Sequence, residues 1–157
     1  MKPIEEQILQ HATLTPDKVA LISGETEVTY GQLWDKSLRA AARLKDELGL
    51  QRGDRVILSA TGNIDFVFVY LGVHIAGGIC VPIDPDTNQT RFDFIEKSTS
   101  PVSVIGTLHN VNRTTLPFEQ VAESASKAEY APPVLTDVGD ILFTTGTTGA
   151  PKGVALS

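Results

Sequence analysis

The sequence predicts an α/β fold. It has parallel βαβ units with helices on both faces, a short N-terminal hairpin, and a C-terminal hairpin that carries a polar loop. Three observations lead there. Apolar runs alternate with helical patterns in the order strand, helix, strand, helix, strand between Arg55 and Ile105, the pattern of parallel strands joined by crossovers. The segment Ile64 to Ala76, I-D-F-V-F-V-Y-L-G-V-H-I-A, is apolar almost all round, as a helix buried between layers is. The chain has 157 residues, of which 41% are hydrophobic, enough for one domain with its own core.

The elements follow in chain order. Ile4, Ile8, Leu9 and Ala12 stand at helical spacing, with Glu5, Glu6 and Gln7 between them. Thr15-Pro16-Asp17 is a turn. Val19 to Ile22 and Glu27 to Thr29 flank Ser23-Gly24-Glu25-Thr26 and read as a hairpin. Thr29 and Gln32 form a capping box. The helix behind them puts Leu33, Trp34, Leu38, Ala41, Leu44 and Leu48 on one face. Lys36, Arg39, Arg43, Asp46 and Glu47 take the other, and Gly49 is its stop. A turn at Gln51 to Asp54 leads into a strand at Arg55 to Ser59. Asn63 can cap a helix that runs to about Ala76, although its Val and Phe content also suits a strand. Ile79 to Ile83 is a buried strand ended by Pro82 and by Asp84-Pro85-Asp86. Thr90 to Ser98 is a short helix, Val102 to Ile105 a strand, and Pro117 can start a helix that reaches about Ala125. Residues 126–137, with Pro132-Pro133, read as an exposed linker. Residues 141–157 read as strand, loop and strand.

Composition excludes several classes. The net charge is −6, and nucleic-acid binding would want a basic patch. A single cysteine, Cys80, allows no internal disulfide and suits a reducing, cytoplasmic setting. The N-terminus M-K-P-I-E-E-Q has no apolar core, so it is not a secretory signal. Phe66 to Ile83 carries no formal charge, yet its glycines Gly72, Gly77 and Gly78 fit helix, turn and strand better than a membrane span.

The most informative stretch is Ile141 to Ser157, I-L-F-T-T-G-T-T-G-A-P-K-G-V-A-L-S. Glycines let a ligand approach the main chain, and successive free N–H groups in such a turn form an anion site. Threonine hydroxyls add donors that rotate to suit the ligand, and Lys152 adds a mobile positive charge. Together they describe a loop that holds a polyphosphate. It is not a Walker A loop, which needs G-x-x-x-x-G-K-[ST] running into a helix. Here Pro151 precedes Lys152, Gly153 follows it, and Val154-Ala155-Leu156 reads as strand.

Other candidates carry little. His11, His74 and His109 show no metal spacing, and His74 in an apolar helix reads as a satisfied core residue. Cys80 reads as a small apolar filler, with no histidine at a spacing that suggests a Cys–His pair. Asp84 and Asp86 could form a metal or acid/base pair, but a Pro-rich turn favours a structural role.

From Phe143 to Val154 the chain resembles, at every fixed position, the phosphate-binding signature [YF]-T-[ST]-G-[ST]-T-G-x-P-K-G-V of the adenylate-forming enzymes. That superfamily includes acyl-CoA synthetases, peptide-synthetase adenylation domains and luciferases. Two further stretches are similar to family segments: Val28-Thr29-Tyr30-Gly31-Gln32-Leu33, with Gln32 where Glu is usual, and Ala76-Gly77-Gly78-Ile79-Cys80-Val81-Pro82-Ile83-Asp84-Pro85. The resemblance implies an N-terminal piece of the large adenylate-forming domain. The rest of that domain and the small C-terminal domain, with the magnesium, adenine and acyl sites, would lie beyond Ser157. It implies phosphate binding by Thr144, Thr145, Gly146, Thr147, Thr148, Gly149, Lys152 and Gly153, with no catalytic residue and no metal ligand within this stretch. The parent would use ATP and Mg2+ to activate a small carboxylic acid as acyl-AMP and then pass it to coenzyme A. An amino-acid adenylation domain of a peptide synthetase is the first alternative, and a non-catalytic nucleotide-binding or interaction module is the second. The isolated piece is expected to be inactive and to self-associate through apolar surface that the missing half would cover.

Overall fold

The structure, a computed structural model, describes residues 2–134, 137–144 and 150–157. Helix α1 (Ile4–Leu14) is followed by strands β1 (Val19–Ser23) and β2 (Thr26–Thr29). They form an antiparallel hairpin whose register pairs Ser23 with Thr26. Gly24 turns it with φ +59°, a conformation that costs glycine no steric penalty.

Helix α2 (Tyr30–Asp46) starts on the expected capping box. The Thr29 hydroxyl accepts from the Gln32 N–H, and the Gln32 side chain accepts from the Thr29 N–H. Its buried stripe is Leu33, Ser37, Ala40, Ala41 and Leu44, close to the predicted face but centred on small residues. The reason is α3 (Ile64–Ile75), which crosses it at very short range. A Cβ built on Gly72 would stand 2.7 Å from the Ala40 Cβ and 3.0 Å from the Ala41 nitrogen. The Asn63 side chain caps α3 by accepting from the Asp65 N–H, and the strand alternative for this segment falls away. Twelve residues of helix, then a turn at Gly77 and Gly78, also dispose of a membrane span. Among the described residues no helix is long and apolar enough to cross a membrane.

Strands β3 (Arg55–Ser59), β4 (Ile79–Ile83), β5 (Ser103–Ile105), β6 (Asp140–Thr144) and β7 (Lys152–Leu156) form one sheet in the order β5-β3-β4-β6-β7. The pairs β3/β4, β3/β5 and β4/β6 are parallel, and β6/β7 is antiparallel. Period-two alternation sorts the strand side chains onto two faces. Val56, Leu58, Cys80 and Ile105 pack with α2, α3 and α5 (Phe118–Ala122). Ile57, Val81, Ile83 and Val104 pack with Phe92 and Ile95 of α4 (Gln89–Thr99). Helices therefore cover both faces, as the sequence predicts. The C-terminal hairpin is not an appendage but completes the sheet.

The stretch 126–137 has neither helix nor strand among its described residues, yet several contacts tie it down. The Ala128 N–H donates to Leu38 O, the Lys127 ammonium pairs with Asp35, and Arg52 pairs with Asp137 at 2.6 Å. Tyr130 meets Trp34 edge-on, with ring centroids 5.4 Å apart.

Candidate functional site

The parallel strands β4 and β6 lie side by side, and both end at the same edge of the sheet. Crevices at the carboxyl ends of parallel strands are the usual binding places in open α/β sheets. Here that edge holds a cleft of about 640 Å³, walled by Ile83, Asp84, Asp86, Arg91, Phe143 and Thr144. The polar loop leaves β6 at Thr144 and returns at Lys152, which is its direct partner across the hairpin. The loop's first foot, Thr144, is thus in the wall of the cleft, with Lys152 held beside it across the hairpin. Thr145, Gly146, Thr147, Thr148 and Gly149 lie outside the described residues.

Three of the predicted site residues are described. Thr144 and Lys152 are exposed, and Lys152 makes no salt bridge among the described residues. Gly153 has a packing reason to be glycine: a Cβ there would come within 3.2 Å of the Phe143 ring and 3.3 Å of the Ile141 side chain.

Arg91, which sequence reasoning passed over, braces this corner. Its guanidinium Nη2 donates to the Phe143 carbonyl at 3.0 Å. The Asn88 side chain caps α4 beside it by accepting from the Arg91 N–H at 2.9 Å. A basic residue in the first turn of a helix, where the macrodipole disfavours it, was the available signal. Asp84 and Asp86 behave as the turn reading expects. The Asp84 carboxylate accepts from the Asp86 N–H at 2.7 Å, and Asp86 pairs with His109 at 2.8 Å.

A second polar cluster sits at the opposite, amino end of the same two strands. His74 Nδ1 faces Glu5 Oε1 at 3.3 Å, and Nε2 faces Asp140 Oδ1 at 3.2 Å. The Tyr70 hydroxyl donates to the other Asp140 oxygen at 2.8 Å. Cys80, fully buried, donates its S–H to Tyr70 O at 3.6 Å. Only 7% of the side chain of His74, and of Glu5, is exposed. Burial alone would lower the His74 pKa, but hydrogen bonds to the Asp140 and Glu5 carboxylates outweigh it and hold His74 well above the ordinary value. Burial alone would raise Glu5 and Asp140. Hydrogen bonds from His74, and from Tyr70 to Asp140, overcome it and hold both carboxylates below their usual range. Burial pushes the Cys80 thiol up. His74 is thus the satisfied core residue that the sequence suggests, whereas Cys80, read as a filler with no histidine at a telling spacing, has its sulfur within 4.8 Å of a His74 ring nitrogen. Helix α3 and strand β4 are antiparallel neighbours in space, so a separation of six positions folds back on itself.

A model of the family described as "AMP-binding enzyme" matches residues 8–157. Among curated proteins the chain is similar to Bacitracin synthase 1 of Bacillus licheniformis, with 31% identity over 160 residues, covering 99% of this chain and 3% of that protein. It is also similar to the Nonribosomal peptide synthetase tcpP of Claviceps purpurea (strain 20.1), with 28% identity over 170 residues, covering 98% of this chain and 8% of that protein. Among solved structures, the N-terminal subdomain of Klebsiella oxytoca NpsA in complex with 3-hydroxybenzoyl-AMSN superposes with a TM-score of 0.84 at 22% identity. It covers 100% of this chain and 41% of that one. The chain thus spans less than a tenth of these curated relatives and under half of that solved chain.

Proposed function

The chain belongs to the AMP-binding enzyme family, and from that premise we propose that it forms the phosphate-gripping part of an enzyme that adenylates an amino acid, as peptide synthetases do. The observation that carries this reading is the similarity to peptide synthetases along 98–99% of the chain. It moves the preference away from the acyl-CoA synthetase expectation, and the acceptor thiol from coenzyme A to a carrier-bound thiol.

In this reading the acid's carboxylate attacks the α-phosphate of ATP, giving acyl-AMP and pyrophosphate, and a thiol then takes the acyl group. Thr144, Thr145, Gly146, Thr147, Thr148, Gly149, Lys152 and Gly153 hold the β- and γ-phosphates. Their donors and the Lys152 charge offset the negative charge that develops on the leaving pyrophosphate. Magnesium accompanies the nucleotide. It prefers phosphate oxygens with one or two carboxylates, and no described residue is assigned to it. The placement of Thr144 in the cleft wall, with Lys152 paired to it, supports the loop's role. Arg91, by tethering the carbonyl at the end of β6, holds the loop's first foot in place.

Acid-dependent exchange of pyrophosphate into ATP, measured with a panel of amino acids on the polypeptide that carries the complete adenylating domain, tests the proposal. Exchange with one or a few amino acids is expected. Exchange with fatty acids alone, followed by formation of their coenzyme A thioesters, would overturn it. The 157-residue chain by itself is expected to release no acid-dependent AMP, because positioning supplies roughly 7–11 kcal/mol of such a barrier and a phosphate grip alone cannot position the acid.

A further inference from the structure

We propose that His74, Cys80 and Asp140 form a binding site for a divalent transition-metal cation of the zinc class, separate from the nucleotide cleft. The two places lie at opposite ends of β4 and β6. Asp140 to Thr144 is four residue steps, roughly 13 Å along an extended strand.

The donor atoms of the three side chains all lie within 4.8 Å of one another. Zinc bonds of about 2.0–2.3 Å at tetrahedral angles put donors roughly 3.3–3.8 Å apart, so the ligands need close by only about an ångström. Thiolate, imidazole and carboxylate together favour zinc over magnesium or calcium, which take oxygen.

The surroundings fit a metal centre more closely than the three donors alone do. A histidine that binds metal usually gives its other ring N–H to a carboxylate, which fixes tautomer and ring orientation. Glu5 stands at His74 Nδ1 in that role, leaving Nε2 toward Asp140. The second Asp140 oxygen is held by the Tyr70 hydroxyl, as ligating carboxylates commonly are. His74 and Asp140 line a cavity of about 660 Å³ at this end of the sheet, which offers an entry path and room for a fourth ligand such as water.

Cobalt(II) alone, titrated into the purified chain, tests this directly, because Cys80 is the sole thiol. One equivalent is expected to produce a near-ultraviolet thiolate-to-cobalt charge-transfer band and the intense visible bands of tetrahedral cobalt, both removed by competing zinc. Glu5→Gln should retain the band but bind roughly 10–100-fold more weakly. His74→Gln should lose the tetrahedral signature while its thiol still reacts after unfolding. Cobalt that leaves the near-ultraviolet spectrum of the folded wild-type chain unchanged would overturn the proposal. So would a band of full strength in His74→Gln. Neither outcome touches the nucleotide reading, which pyrophosphate exchange assays separately.

Discussion

Replacing His74 by leucine, in the presence of a chelator, removes the cation that faces two buried carboxylates while keeping an apolar side chain of similar volume. Glu5 is 6% exposed, so its charge is largely withheld from water. Breaking a buried ion pair by deleting one partner costs about 3–5 kcal/mol, because the remaining charge is left uncompensated. For a chain of this size that is a fall in Tm of roughly 6–20 °C. The pH dependence gives a sharper test. Glu5 and Asp140 have pKa values lowered below their ordinary 4.5 and 3.8 by hydrogen bonds that outweigh burial. Each adds stability that is present above those values and is lost as pH falls through the lowered folded one. His74, raised, adds stability that is complete below its ordinary 6.5, so it stays constant in acid. Between about pH 5.5 and pH 3 the wild type should therefore lose more of the carboxylate contribution than His74→Leu, in which only the Tyr70 hydroxyl at Asp140 and a backbone hydrogen bond at Glu5 remain to oppose burial. Asp35 and Asp137 are also lowered, but they contribute equally to both proteins. Thermal unfolding followed by circular dichroism at the two pH values should show the Tm gap narrowing in acid. A gap that stays constant or widens, or an unchanged Tm at pH 5.5, would refute the reasoning.

Lys152→Ala, in the polypeptide with the complete adenylating domain, should slow pyrophosphate exchange roughly ten- to a hundredfold, since a charge-assisted phosphate contact is worth about 1.5–3 kcal/mol; an unchanged rate would remove Lys152 from the phosphate grip. Arg91→Ala should lower the same rate roughly tenfold through the loss of about 1.5 kcal/mol of bracing at Phe143, with the far-ultraviolet spectrum unaltered. Gly72→Val drives a branched side chain into Ala40 and the Ala41 backbone. Overpacking of about 2–3 kcal/mol should lower Tm by roughly 4–12 °C, and a stable Gly72→Val protein would mean that α2 and α3 separate easily.

What could be read in the sequence was local. Thr29 with Gln32, and Asn63 before its helix, announce their roles within three residues, because a cap satisfies N–H groups of its own first turn. The phosphate loop is legible for the same reason, as its donors are contiguous. The cluster around His74 was not. It joins Glu5, His74, Cys80 and Asp140, and no periodicity connects a residue in the first helix to one in the sixth strand. Their meeting depends on β6 docking parallel to β4. That docking is secured by the Cys80 N–H bonding to Gly139 O, and nothing in an apolar run says which edge it will join. The face of α2 was read nearly right, but its centre on Ala40 and Ala41 became intelligible only with Gly72 pressed against it. The stretch 126–137 reads as a linker because Pro132-Pro133 interrupts it. Its anchors are a backbone N–H at Ala128, the Tyr130 ring, and the charges of Lys127 and Asp137, whose partners lie far off in sequence.

The position of β6 in the sheet bears on how the chain is made. Strands β3, β4 and β5, with the helices between them, emerge from the ribosome before β6 and contain most of the core. The outer edge of β4 meanwhile stays unpaired until Asp140 arrives, roughly 57 residues after Ile83. At about 5–20 residues per second that is a wait of roughly 3–11 s, during which an apolar strand shows a row of free N–H and C=O groups. Pro82, which lacks a donor, interrupts that row near its end. The nascent chain is therefore most open to chaperone capture, or to mispairing with a neighbouring chain on the same messenger, in the interval between the fourth strand and the sixth.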